Sequence, residues 1–228
     1  AVAQNTANMQ QVVRHCRKIV AVGRNYAKHA AELNNPIPDK PILFLKPASS
    51  FLLQGQGPIE IPQGCINLHH EIELGILISK PGRDIPASQA MEHVGGYFLA
   101  LDMTARELQA AAKKKGLPWS VSKGYDTFTP VSDLIPKSAI PDPGNLNLWV
   151  SVDGEIKQDG KTSDMIFSVP KLISYISTIF TLQEGDTILT GTPEGVGPVQ
   201  NGSVVKAGIT DLVEMSFSVQ HRKPGAKL

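Results

Sequence analysis

The sequence predicts an α+β protein with a β-rich core. Strand-like segments outnumber helical ones and seldom alternate with them, which sets the pattern apart from a doubly wound sheet. Three short strands close the chain, near residues 187–190, 203–206 and 212–219. With 228 residues, the chain is long enough to bury a sizeable core in one domain or two small ones. No internal repeat or low-complexity linker divides it. The expected organisation is an N-terminal extension over 1–17, one domain over 18–220 and a tail over 221–228.

Taken in order, the first ten residues are polar and expected to be ragged. Residues 11–17 read as a short helix leading into a strand at 18–22. GRNY at 23–26 turns into a second short helix through about Leu33, which Pro36, Pro38 and Pro41 terminate. A buried strand is expected at 42–45, a longer one at 70–79 and another at 97–101. Residues 104–115 form a helix stopped by Gly116 and Pro118, and 136–143 form a rigid loop. Residues 146–158 read as a hairpin whose Asp153-Gly154 pair favours a type I′ turn. Leu172, Ile173, Ile176 and Ile179 give 169–180 a helical apolar stripe.

Composition excludes several classes. Hydrophobic residues make up 41% and charged residues 19%, and 22 basic side chains nearly cancel 21 acidic ones. No bulk charge favours nucleic acid or a membrane surface. Lys113, Lys114 and Lys115 are the only basic cluster; it reads as a solvated helix end complementing the helix dipole, with an anion patch as the alternative. Cys16 and Cys65 form no CxxC pair, which argues against a disulfide scaffold or structural zinc. They have no neighbour that would activate them for catalysis. No apolar run approaches the roughly 18 residues that span a bilayer. There is no secretory signal, and the first residue is not Met, so a removed targeting peptide and a shortened chain are both consistent.

The most informative stretch is His69-His70-Glu71-Ile72-Glu73-Leu74-Gly75-Ile76. Residues two apart in a strand share a face, so Glu71 and Glu73 point one way and Ile72 and Leu74 the other. A buried carboxylate pair repels, and a divalent cation neutralises it. Asp102, at the end of an apolar strand, is a third acid that packing does not explain. Three carboxylates suit octahedral Mg²⁺ or Mn²⁺ with positions left for a keto acid and water. Spacing alone also fits the exposed side of an ordinary amphipathic strand, and E-x-E does not choose between the two. His69 and His70 read as supporting residues beside the acids rather than ligands.

Several segments, in order, carry more than spacing: VGRNYAKHAAE (22–32), ILFLKP (42–47), NLHHEIELG (67–75), GGYFLALDMTAR (95–106), KKKGLPWSVSKGYDTFTPV (113–131), Met165-Ile166-Phe167 and ILTGTPEGVGPV (188–199). Over about residues 18–219 the chain resembles the fumarylacetoacetate hydrolase family, in particular its acylpyruvase and oxaloacetate decarboxylase branch. That resemblance implies a mixed β-roll or β-sandwich fold, a homodimer, and a mitochondrial or cytoplasmic setting. It implies Glu71, Glu73 and Asp102 as ligands of Mg²⁺ or Mn²⁺. The implied activity is hydrolysis of acylpyruvates and decarboxylation of oxaloacetate through a pyruvate enolate held on the cation. Alternatives are an oxaloacetate tautomerase, an isomerase or hydratase of 2-oxo diacids in the same fold, and a non-catalytic metabolite-binding oligomer. Two departures stand out: Tyr125 where relatives commonly have Phe, and Ser132 where many have Gly; both are expected beside Lys123, where they would tune substrate preference.

Within that reading Lys123 supplies a second positive group near the developing charge. His29 and Glu32 form H-x-x-E on one side of a short helix, implied as a lid whose imidazole activates water; without the resemblance they read as an exposed pair. Arg106 and Gln109 are candidates for the substrate carboxylate, with Arg24 for the same task. Thr192, in Gly191-Thr192-Pro193, offers donors near the metal. That loop lacks the G-K-[S/T] of a P-loop, which excludes nucleotide binding there.

Overall fold

The computed structural model describes residues 8–32 and 36–223. Among them sixteen strands and five α-helices form, arranged as three sheets. The largest has eight strands. Seven run in the order Ile42–Lys46, Ile19–Gly23, Thr187–Leu189, Ile72–Ile78, Val94–Leu101, Thr129–Val131, Phe51–Leu53, and Ile135–Pro136 also pairs with Val94–Leu101. A five-stranded sheet runs Glu155–Lys161, Asn147–Val152, Val204–Ile209, Val213–His221, Ile59–Ile61. A small third sheet joins Gly197–Val199, Leu68–His70 and Thr104–Ala105.

Alternation assigns the faces of the large sheet. Ile72, Leu74, Ile76 and Ile78 turn into the main core with Leu148, Val150, Val205 and Phe217 of the five-stranded sheet and Leu172, Ile173 and Ile176 of the helix Val169–Ile179. Leu77, Phe98, Ala100, Ile19 and Ala21 face the other way and meet Met9 and Val12 of the helix Met9–His15. Both faces of Ile72–Ile78 are thus buried along its whole length, as its near-continuous apolar run requires.

The differences from expectation have local causes. The helix read at 11–17 spans Met9–His15, because Asn8 and Gln11 form a reciprocal capping box at its start. Residues 1–7 and Leu33, on which the ragged start and the end of the second helix fall, lie outside the described residues, as do 224–228 of the tail; that helix runs Ala27–Glu32. The strand Ile42–Lys46 is only partly buried, with Leu45 42% exposed, because it forms an edge of the large sheet. The strand read at 70–79 is two strands, Leu68–His70 and Ile72–Ile78, in different sheets. Glu71 stands at the break between them. Three-residue strands at Phe51–Leu53, Ile59–Ile61 and Gly197–Val199 are too short to show a period. Asp153 and Gly154 both have positive φ, 53° and 87°, the turn that the Asp-Gly pair predicts. Gly116 is the left-handed cap ending Arg106–Lys115.

Gly75 lies directly under Phe98, so a Cβ there would stand 2.2 Å from the ring. Gly75→Ala is expected to destabilise the protein by about 1–3 kcal/mol through overpacking; thermal and denaturant unfolding measure it.

Candidate active site: a buried carboxylate cluster

The two strands carrying the acids run side by side, Ile72 opposite Leu101 and Glu73 opposite Ala100. Asp102 follows Leu101, and its N–H donates to the Glu71 carbonyl at 2.8 Å. Glu73 leaves its strand on the face opposite Ile72 and Leu74. Glu71, Glu73 and Asp102 are 6%, 1% and 1% exposed, and one oxygen from each lies within 4.8 Å of the others.

Three protein cations meet these acids. Lys123, closing the short helix Ser120–Lys123, donates to Glu71 Oε2 at 2.9 Å and to Asp102. Lys46, fully buried, donates to Asp102 and to the Phe128 carbonyl at 2.7 Å. Arg106 Nη2 donates to Glu71 Oε1 at 2.7 Å, and the Thr104 hydroxyl joins the same oxygen at 2.9 Å. A metal ion is therefore not the sole neutraliser that the strand pattern called for. Burial opposes ionisation of Glu71, but Lys123 and Arg106 outweigh it and hold the carboxyl well below the usual range. Burial also works against the Lys123 ammonium, and Asp102 and Glu71 overcome it. Lys46 is pushed down by burial, against the pull of Asp102.

Glu73 is the acid left least compensated. Burial and the charge of Asp102 raise it well above an ordinary glutamate, and it accepts one hydrogen bond from the Gly191 N–H at 2.7 Å. Hard carboxylate oxygens from three side chains, one of them without a cationic partner among the described residues, fit Mg²⁺ or Mn²⁺. Glu71, Glu73 and Asp102 would hold it.

The acids form the floor of a cleft that is also lined by Arg24, His29, Arg106, Gln109, Lys123 and Thr192. His29 is buried, and its Nδ1 lies 3.2 Å from Glu32 Oε2. Glu32 also accepts from the Gly195 N–H at 3.2 Å, which ties the helix Ala27–Glu32 to the loop carrying Thr192. Arg106 Nη1 donates to Gln109 Oε1 at 2.9 Å, while Arg106 Nε is buried without a partner. The Gly191-Thr192-Pro193 loop turns its first N–H onto Glu73 rather than into the cleft. Gly191 has φ 94°, and a Cβ there would stand 2.7 Å from Asn25 Cβ.

Gln158 was not singled out by the sequence, yet it organises this end of the molecule. Buried on the strand Glu155–Lys161, its Oε1 sits 2.9 Å from His70 Nδ1 and accepts from the Ile72 N–H at 3.0 Å. Its Nε2 donates to Thr192 Oγ1 and the Pro193 carbonyl, both at 2.9 Å. One amide thus holds both residues flanking Glu71 and the loop opposite. Lys46, Phe44 and Trp119 were also missed; a lone Lys ending the apolar run Ile42-Leu43-Phe44-Leu45 was the signal for the first. His69 and His70 are absent from the acid cluster. Burial and Arg106 lower His69 to about 4, and burial lowers His70; both are neutral supports. Tyr125 and Ser132 do not line the cleft, contrary to expectation: Tyr125 packs on Phe128 with centroids 5.1 Å apart, and Ser132 Oγ accepts from the Leu99 N–H at 2.9 Å.

An α+β shell around three convergent buried acids and a buried lysine is the frame of a metal-assisted enzyme. The chain belongs to the fumarylacetoacetate hydrolase family: the family model described as "Fumarylacetoacetate (FAA) hydrolase C-terminal" matches residues 18–220. It is 63% identical over 208 residues to a mitochondrial oxaloacetate decarboxylase of Dictyostelium discoideum, covering 91% of this chain and 95% of that one. It is 59% identical over 217 residues to a mitochondrial oxaloacetate tautomerase of Arabidopsis thaliana, covering 95% and 97%. The crystal structure of fumarylpyruvate hydrolase from Pseudomonas aeruginosa in complex with Mn²⁺ and pyruvate shares the fold with a TM-score of 0.85 and 40% identity, over 91% of each chain.

Replacing Gln158 with Leu strands the partners of its amide in a buried setting. The expected loss is about 2–3 kcal/mol of stability, read by denaturant unfolding, with Gln158→Glu, which keeps the acceptor oxygen, losing less.

Proposed function

We propose that this chain is a Mg²⁺- or Mn²⁺-dependent enzyme of small 2-keto acids, decarboxylating oxaloacetate and hydrolysing acylpyruvates. The observation that carries the reading is the approach of Glu71, Glu73 and Asp102 oxygens to within 4.8 Å of one another, beside the Lys123 ammonium. A divalent cation bound there supplies an electron sink at the keto oxygen.

The chain's own groups do the rest. Lys123 is held by two carboxylates before substrate arrives, so its charge is preorganised for the negative charge that develops on the keto oxygen. Gln109 Oε1 is occupied by Arg106, which leaves the Gln109 amide hydrogens and Arg106 Nε to donate to a substrate carboxylate. The Thr192 hydroxyl accepts from Gln158 and so has its proton to give. Arg24, at φ 58°, brings a further cation to the cleft. In the tautomer that donates Nδ1–H to Glu32, His29 keeps Nε2 as a base.

For an acylpyruvate, His29 takes a proton from water, which attacks the acyl carbonyl. The C–C bond then breaks, its electrons pass into the enolate of pyruvate, and protonation at carbon completes the product. For oxaloacetate, CO₂ departs with no attacking water, so the electron sink and Lys123 suffice. Enol–keto exchange of oxaloacetate, which only moves a proton between oxygen and C3, is a third activity of the same groups; the 59% identity to a relative named for it favours it. By analogy with the relatives, a mitochondrial setting is proposed. A homodimer is also proposed, to be read by light scattering as twice the chain mass.

His29→Ala is expected to lower acylpyruvate hydrolysis by about 10²–10⁴-fold while oxaloacetate decarboxylation keeps most of its rate; equal loss of both refutes the division of labour. Removal of divalent metal by chelator should abolish both, and Mg²⁺ or Mn²⁺ should restore them. No turnover of either substrate in metal-loaded protein would instead support a non-catalytic binding role.

A further inference from the structure

The helix Arg106–Lys115 presents more to the cleft than the two residues already assigned. Positions seven apart on a helix return to within about 20° of one another, so Arg106, Gln109 and Lys113 share one face. All three line the cleft. The basic run at 113–115 is therefore not uniformly a solvated helix end: all three lysines are exposed, but of the three only Lys113 also lines the cleft.

Lys113 has a defined seat. Its Nζ lies 5.2 Å from the centroid of the Trp119 ring. That ring is fixed in turn by Phe44, with centroids 5.4 Å apart, and by Gly23, where a Cβ would come within 3.2 Å of it. A cation over a held indole keeps its position while its charge still faces outward. The cations in and beneath the cleft divide into two groups. Lys46, Lys123 and Arg106 each pair with Glu71 or Asp102. Lys113 and Arg24 form no ion pair among the described residues. Burial, together with the nearby charges of Arg24 and Arg106, holds Lys113 below the ordinary lysine range, the mark of cations crowded without an anion between them.

The cleft thus has two ends. Its floor holds the acids and Lys123, at 1–6% exposure; its mouth holds the half-buried Arg24 and Trp119 and the outward-facing Lys113. We propose that Lys113 is a specificity-determining residue that receives the second carboxylate of a dianionic 2-keto acid, so that the cleft favours dicarboxylates over monoanionic acylpyruvates. This rests on the 2-keto acid reading above and adds the class of substrate to it. Arg24 supports the same carboxylate or the one nearer the floor.

The test compares Lys113→Gln, Lys113→Arg and Lys114→Gln in metal-loaded enzyme, with oxaloacetate as the dianion and acetylpyruvate as the monoanion. Lys113→Gln is expected to raise KM for oxaloacetate about 3- to 10-fold, the range of a partly exposed charge contact, with kcat not lowered, because the carboxylate it contacts is the one that loses its charge as CO₂ departs. Acetylpyruvate KM should move less than about 2-fold on the same grounds. Lys113→Arg should restore the oxaloacetate value, and Lys114→Gln should leave both substrates unchanged. Calorimetric titration of the same proteins with oxaloacetate and with pyruvate reads the preference without turnover. Equal effects on dianion and monoanion, or no effect of Lys113→Gln on either, overturn the proposal. If wild type turns over neither substrate but Lys113→Gln still weakens only dianion binding, the enzymatic reading fails and the specificity site stands.

Discussion

Three carboxylates packed so closely that their oxygens come within 4.8 Å of one another, almost out of reach of water, set the constraint on which the rest of this structure depends. Two like charges about 4 Å apart repel by roughly 4 kcal/mol even at an effective dielectric of 20. Such a floor persists only if opposite charge is brought to it. The fold brings Lys46 from an edge strand, Lys123 from a four-residue helix and Arg106 from the helix that follows Asp102. The compensation is uneven. Two cations hold Glu71 below the ordinary carboxylate range against its burial, whereas Glu73, with a single backbone donor, retains the appetite for a cation that a metal would satisfy.

Precision at that floor comes from neutral groups reaching across long stretches of sequence. Gln158 clamps the His70 imidazole and the Ile72 N–H, on either side of Glu71, to the loop after Leu189. Asn25 does comparable work on the opposite side, donating to the carbonyls of Thr190 and Phe167 while accepting from the Phe167 N–H. Each satisfies several buried backbone groups with one amide, which suits a region where the strand is interrupted and ladder bonds are missing. At the break beside Glu71, the Gln158 side chain accepts from the Ile72 N–H in place of a ladder partner.

The parts of this architecture readable in the residues are those with a local cause. The Asp153-Gly154 hairpin, the Gly116 cap and the apolar stripe of Val169–Ile179 each follow from short-range stereochemistry or period. The acids were visible as misfits in apolar strands, and their assignment leaned on the family resemblance as much as on spacing. What stayed hidden has non-local causes. The strand Ile59–Ile61 exists because Val219–His221 lies beside it, and Phe51–Leu53 because Thr129–Val131 does. Lys46 looks like the polar end of a strand until Asp102 arrives, and Gln158 looks like any surface residue of a hairpin. Lys113 could be separated from its two neighbours only once Trp119 was seen beneath it.

The pairing of Ile19–Gly23 with Thr187–Leu189, and of Ile59–Ile61 with the strand ending at His221, also bears on how the molecule comes into being. Ile19–Gly23 finds its first neighbour, Ile42–Lys46, early in synthesis, but its second, Thr187–Leu189, lags it by about 10–30 s at ordinary elongation rates. During that interval the two strands present an open edge to solvent. Long-range pairing of this kind is slow to form, so the large sheet completes only after Thr187–Leu189 has been made.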